Sequence, residues 1–212
     1  MKNSELSLID KYYKDQLLWL PERGMGYYPV KPSDMPYNEE YFKRYQRQAD
    51  TDIGRELVKA RVEMVKRHWS GSVIDVGIGC GNFVLGHGNA KGSDVNPIAI
   101  QWLKKRGLYA DPYNGYASLC FWDSLEHILD IEEIVSKAYK FIFVSIPIFE
   151  SAEHCMRSKH FRRDEHVWYF TDAGLKAWFT EQGFACVEEN DIETVIGRED
   201  IKSYAFKRIF TQ

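Results

Sequence analysis

Val73-Ile74-Asp75-Val76-Gly77-Ile78-Gly79-Cys80-Gly81-Asn82-Phe83 runs an apolar segment straight into a glycine-rich turn, and the next apolar segment ends in Gly92-Ser93-Asp94-Val95-Asn96. Val73, Ile74, Val76 and Ile78 predict a buried parallel strand, and Gly77, Gly79 and Gly81 let backbone N–H groups approach a ligand closely. Asp94, closing the second strand, can accept hydrogen bonds from both hydroxyls of a ribose. Asp75 sits where a phosphate would be repelled and a cation welcomed. Together these features suggest an adenosine with a positively charged amino-acid tail and no phosphates, which describes S-adenosylmethionine. A dinucleotide fingerprint fits less well, because Asn82 stands where Gly-x-Gly-x-x-Gly needs its third glycine.

Outward from this turn the pattern alternates strand and helix, the signature of a parallel sheet covered on both faces. Strands are expected over 72–78, 90–95, 108–110, 118–122 and 141–148, the last apolar on both faces as in a central strand. Helices are expected over 52–69, after Gly81, from Pro97 through Lys105, from Asp123 through Ala138, and over 171–182. In the first of these, Leu57, Ala60, Arg61, Met64 and Val65 recur at helical spacing. Segments 184–189 and 203–209 read as a closing hairpin with a long loop. Ahead of the domain at 51–212, residues 1–50 form an aromatic-rich extension or lid punctuated by Pro and Gly, too broken for a long helix beyond the opening stretch from Leu6 to Leu20.

At 212 residues the chain can bury a full core without staples. A hydrophobic content of 44% and a charged content of 28% are ordinary for a globular protein, and no apolar run approaches a membrane span. The opening residues lack an export signal, so a cytoplasmic location is expected. Cys80, Cys120, Cys155 and Cys186 are scattered without a Cys-x-x-Cys pair, which fits free thiols rather than disulfides or a zinc cage. A net charge of -3 supplies no global attraction to nucleic acid or acidic membranes, although Arg157, Lys159, Arg162 and Arg163 form a local basic segment. The oligomeric state is not legible.

The run Asp75 to Gly81, then Asp94, then Asp123-Ser124-Leu125-Glu126-His127, then a His-rich segment ahead of Thr171 and Gly183-Phe184, resembles the class I S-adenosylmethionine-dependent methyltransferases. The resemblance covers about residues 55 to 210, and within that superfamily it is similar to the branch that includes the ubiquinone-biosynthesis O-methyltransferases and many uncharacterised bacterial and phage proteins. It implies a Rossmann-like α/β fold with a seven-stranded, mostly parallel sheet, one antiparallel strand and helices on both faces. It also implies S-adenosyl-L-methionine as cofactor and methyl transfer to an oxygen or nitrogen of a small-molecule acceptor. Carried over by position, it puts Asp75, Gly77, Gly79 and Gly81 around the methionyl part and Asp94 on the ribose. Val95 and Asn96 would flank the adenine, Asp111 and its neighbours would read the adenine amino group, and Trp122 and Asp123 would meet the cofactor at the end of strand four. No Asn-Pro-Pro-Tyr or Asp-Pro-Pro-Tyr follows that strand, which lowers support for a base-amine substrate. Some relatives carry a Glu-x-x-Glu-His linked to a divalent metal; here the first position is Asp123, and no metal ligands are assigned.

A hydroxyl acceptor calls for a base near neutrality, usually histidine. His160 and His166 lie in the segment leaving the carboxyl end of strand five and are candidates for base or substrate contact, with Asp164 or Glu165 to orient them. His127 is a third candidate, or one half of a buried polar pair with Glu126. Asp123 can alternatively pair with the cofactor's ammonium group. Leader aromatics, Trp19, Tyr27, Tyr28 and Tyr37, are candidates for a lid over the acceptor, with Tyr27 and Tyr28 as substrate contacts, or for packing of the extension on the domain. Two alternatives stay open: a methyltransferase acting on nucleic acid or nucleotides, and a non-catalytic cofactor-binding protein of the same fold.

Overall fold

The computed structural model describes residues 16–29 and 37–209. Leader positions 1–15 and 30–36, most of the expected opening helix among them, lie outside the described residues.

The described chain begins with two short antiparallel strands, β1 (Leu18–Leu20) and β2 (Met25–Tyr27), followed by helix α1 (Glu39–Ala49) and the long α2 (Asp52–His68). Asn38 and Thr51 cap the two helices, their side-chain oxygens accepting the backbone N–H of Tyr41 (2.9 Å) and Gly54 (3.0 Å). The alternating region follows as β3 (Val73–Val76), α3 (Asn82–His87), β4 (Ala90–Ser93), α4 (Pro97–Lys105), β5 (Tyr116–Trp122), α5 (Ile131–Ser136) and β6 (Ala138–Pro147). A short helix, α6 (Ala152–Arg157), leads to strand β7 (Trp168–Phe170) and helix α7 (Asp172–Glu181). The chain closes with β8 (Phe184–Asn190), a single-turn α8 (Ile192–Val195) and β9 (Ile201–Arg208).

The main sheet has six strands in the order β4-β3-β5-β6-β9-β8, parallel except for β9, which runs antiparallel to both neighbours. The expected reversed strand and closing hairpin are therefore present, but among the described residues the seventh strand is not. Leu108–Ala110 contributes one bridge, Gly92 to Tyr109. It is bounded by Gly107 at φ 66° and by Asp111-Pro112, and proline has no N–H to extend a ladder. Two further expectations are corrected. The stretch from Asp123 through Ala138 is a 3-10 turn (Leu125–His127) followed by the short α5, and Leu18–Leu20 is strand rather than helix.

Side chains alternate along the central strands to build a core on each face. Ile142, Val144 and Ile146 of β6 join Leu119 and Phe121 of β5 beneath α5 and α7, while Phe141, Phe143, Cys120 and Trp122 face the layer of α2, α3 and α4. No cysteine forms a disulfide, and three of the four are buried. Strand β7 adds to β2 to make a second, three-stranded antiparallel sheet. That pairing consumes the leader tyrosines: Tyr27 is 1% exposed and packs 5.0 Å from Trp168, and Tyr28 is buried against Phe161. No helix among the described residues is long and apolar enough to cross a membrane.

Candidate active site

Strand β3 delivers the chain to a turn in which Gly77, Gly79 and Gly81 have φ of 80°, 57° and 85°, a backbone region that side chains rarely occupy. Space is as restrictive as backbone: a Cβ on Gly77 would lie 2.6 Å from Ser124 Cβ, and one on Gly81 would lie 2.6 Å from the Trp102 ring. Gly77 donates its N–H to the Ser93 carbonyl (2.8 Å), which ties the turn to the end of β4. There Asp94 accepts the Asn96 N–H at 2.8 Å. Burial raises its carboxyl to about 6, against the pull of the surrounding backbone N–H groups. Asp75, beneath the turn, is 1% exposed, has one carboxylate oxygen without a partner, and is pushed well above the carboxylate range by burial.

Asp75, Gly77, Gly79 and Asp94 line a cleft of about 670 Å³ across the strand carboxyl ends, the usual ligand position in such sheets, whereas Gly81 does not line it. Val95 and Trp122 also line it, and Tyr37, Tyr41 and Tyr45 pack ring against ring along its α1 wall, with centroids 5.3 and 5.0 Å apart. Asn96 and Asp111 do not line it. Asn96 caps α4 through Ile98 N–H and donates to the Asn38 carbonyl, and Asp111 caps the turn at Pro112–Asn114, whose Pro112 and Tyr113 form the wall instead. The lid expectation is partly redirected as well, since Tyr27 and Tyr28 pack with the second sheet while Tyr37, Tyr41 and Tyr45 reach the cleft.

Asp123 borders the cleft but is held by protein. Arg198 grips both of its oxygens (2.8 and 2.9 Å) and Arg61 adds a third contact at 2.7 Å. Both arginines also bind Glu193, which is fully buried. Burial alone would raise the Asp123 carboxyl, but Arg198 and Arg61 outweigh it and hold it well below the usual range. Asp123 also has φ 56°, a left-handed conformation that Asp adopts more readily than most residues with a Cβ. Pairing with a cofactor ammonium group, the alternative read from sequence, would have to compete with two guanidinium groups.

A second recess of about 290 Å³ adjoins the cleft and shares Tyr45, Gln48, Asp123, His127 and Arg198 with it. All three candidate histidines reach this recess, and of them only His127 also borders the cleft. The Val167 N–H donates to the Glu126 carbonyl (2.8 Å), bringing the His127 and His166 rings to 4.6 Å, edge to face. Burial, and then Arg162, lower His127 to about 4; burial, and then His127, lower His166 well below its ordinary value. Both are neutral imidazoles at neutral pH. Burial, and then Asp123, raise the Glu126 carboxyl to about 8, and one oxygen of Glu126 and Nδ1 of His127 have no hydrogen-bond partner. One donor atom from each of Glu126, His127 and His166 falls within 4.8 Å of the others, close enough to share a metal ion. His160 stands farther along the recess, bonded to the Glu199 carbonyl at 2.9 Å. The expected orienting carboxylates do not reach the histidines: that of Glu165 binds Arg162 (2.5 Å), although its backbone hydrogen-bonds His127, and Asp164 is exposed.

A family model described as a methyltransferase domain matches residues 39–189. The chain belongs to the methyltransferase-domain family. Solved structures of methyltransferases share the fold at low identity. Magnesium protoporphyrin IX methyltransferase from Synechocystis, crystallised with S-adenosylhomocysteine, has a TM-score of 0.59 at 13% identity, covering 81% of this chain and 96% of that one. An S-adenosylmethionine-dependent methyltransferase from Archaeoglobus fulgidus has 0.54 at 17%, covering 79% and 100%. The [4+2]-cyclase SpnF has 0.58 at 12%, covering 87% and 99%, so the fold is compatible with other chemistry. Among curated proteins, no sequence matches this chain.

Arg61, Arg198, Glu193, Tyr41 and Tyr45 belong to the site and were not assigned from sequence. The one legible signal was Arg61 itself, a cation recurring within the apolar stripe of a helix.

Proposed function

We propose that this methyltransferase-family protein uses S-adenosylmethionine to methylate an oxygen of a small molecule. The observation that supports this most is the junction at His127: a cleft with the glycine turn and Asp94 at one end opens into a recess holding two acids, Asp123 and Glu126, and three histidines. The residues fit the cofactor. The turn leaves room for close approach, Asp94 presents a carboxylate for the ribose, and Asp75 and Asp123 put acids, not phosphate-binding cations, on the walls. When bound, the cofactor supplies an electrophilic methyl group. The protein's part is to hold the acceptor in line beside it, which can contribute about 7–11 kcal/mol, to exclude water with the tyrosines of α1, and to take the acceptor's proton.

His127 is the proposed proton acceptor, being the candidate histidine that borders both spaces. A second arrangement is favoured by the orphaned oxygen of Glu126 and the orphaned Nδ1 of His127: these two residues and His166 would hold a divalent cation, which supplies Lewis acidity to an acceptor hydroxyl. A nucleic-acid acceptor has less support, because Arg157, Lys159 and Arg162 of the basic segment are already paired with Glu153, Glu199 and Glu165. The test is calorimetry with S-adenosylhomocysteine followed by a labelled-methyl screen of hydroxylated small molecules, with and without dialysis against a chelator. Binding and transfer to at least one acceptor are expected. Absence of binding refutes the cofactor reading, and binding with no transfer to any acceptor favours the non-catalytic alternative. Loss of transfer on chelation, restored by a divalent ion, selects the cation over the free base.

A further inference from the structure

One arginine of the recess has no acid partner among the described residues. Three arginines line it. Arg162 is spent on Glu165 and Arg198 on Asp123 and Glu193. Arg44 makes no ion pair among the described residues, and the acids of its own helix, Glu39 and Glu40, are paired with Lys43 and Arg47. Its guanidinium is instead held over two aromatic faces, 4.6 Å from the Tyr41 ring centre and 5.5 Å from that of Tyr45. Its Nε is shut off from solvent and has no hydrogen-bond partner.

An N–H donor in that condition is uncommon, because a charged donor shut off from water and left without an acceptor is strongly disfavoured. No acid of the recess bonds it: Asp123 is taken up by Arg198 and Arg61, and the buried Glu126 oxygen that lacks a partner does not reach it. A planar guanidinium braced by rings and set in a cavity wall is suited to receive an oxyanion through two parallel hydrogen bonds. Arg44 does not line the cofactor cleft, so a cofactor carboxylate does not account for it.

We propose that Arg44 is a specificity-determining residue and that the methyl acceptor carries a small oxyanionic group, a carboxylate or phosphate, besides the hydroxyl that is methylated. This rests on the reading of the recess as the acceptor site. The modest volume of the recess places both groups on a compact molecule.

The experiment titrates the full-length protein, saturated with S-adenosylhomocysteine, with matched probes: phenol, the three monohydroxybenzoate isomers, and 4-hydroxyphenyl phosphate. At least one anionic probe is expected to bind about 10- to 100-fold tighter than phenol, the effect of one charge-assisted pair. The carboxylate and phosphate arms tell the two anion types apart. Arg44→Gln should remove that preference and leave phenol unchanged, and Arg44→Lys should restore part of it by keeping charge without the fork. S-adenosylhomocysteine affinity of each variant reports folding, and its absence in the wild type would refute the cofactor reading rather than the role of Arg44. Equal binding of neutral and anionic probes, no saturable anion binding up to about 10 mM, or a preference that survives Arg44→Gln overturns the proposal. A surviving preference that disappears on chelation would mean that a cation, not Arg44, reads the anion.

Discussion

Replacing Glu193 with Gln tests the idea that the end of β5 is held by a balanced set of four charges. Arg61 and Arg198 are opposed by Asp123 and Glu193, and Glu193 is fully buried with contacts to Arg61 at 2.8 and 3.0 Å, to Arg198, and to Ser203 Oγ at 3.4 Å. Glutamine keeps the shape and one acceptor but leaves two guanidinium groups facing a single carboxylate. Removing one partner of a buried ion pair costs about 3–5 kcal/mol, mostly as the penalty of the charge left behind. At about 2–4 °C per kcal/mol for a chain of this size, Tm should fall by roughly 6–20 °C. Differential scanning calorimetry measures it. The companion change Arg61→Gln restores neutrality, so the double variant should lose less than the two single losses added together. A Tm change for Glu193→Gln within about 2 °C, or strict additivity in the cycle, would refute the account of a balanced network.

Asp75→Asn should stabilise the ligand-free protein by about 1–3 kcal/mol at neutral pH, since it removes an acid that burial penalises, while weakening S-adenosylhomocysteine binding; chemical denaturation beside calorimetry reads both. The sign follows from the raised carboxyl: in the wild type its stabilising proton is fully present below the unfolded pKa and is lost as pH rises through the folded value, so the gain should shrink in acid. Asp94→Asn should weaken S-adenosylhomocysteine about 10- to 100-fold, and wild-type affinity should fall as pH drops through about 6, where the Asp94 carboxylate protonates. His127→Gln and His166→Gln should each lower kcat on whatever acceptor the screen identifies, with S-adenosylhomocysteine affinity unchanged, and His160→Gln should do so least; an equal loss for all three would contradict the separation of roles drawn from their positions.

What could be read in the sequence was what is local. The glycine turn, Asp94 and the continuous apolar run of β6 sit within a few residues of the features that define them, and their physics is that of backbone clearance and burial of a central strand on both faces. The clamp on Asp123 joins residues separated by 62 and 75 positions, and no local pattern pairs them. The leader shows the same limit. Tyr27 and Tyr37 look alike as aromatic residues in a segment broken by Pro and Gly, and what separates them is that Trp168–Phe170 forms a strand which β2 completes, drawing Tyr27 into the second sheet while Tyr37 is left to the cleft. That strand lay hidden in a segment whose reading was dominated by its histidines and charges.

The same strand also decides the chemistry of the recess. Pairing with β2 fixes Trp168–Phe170 in place, and the Val167 N–H just before that strand reaches the Glu126 carbonyl at 2.8 Å. That one contact carries His166 to His127 and so assembles the three-donor cluster from the turn after β5 and a segment far downstream of it. A leader that reads as an appendage is therefore part of what positions the acid and the two imidazoles. Loosening β2, for instance by Gly26→Val, whose Cβ would meet the Trp19 ring at 2.7 Å, should lower turnover through the recess while leaving S-adenosylhomocysteine affinity nearly intact. Equal loss of both would mean that the second sheet supports the whole domain rather than the recess.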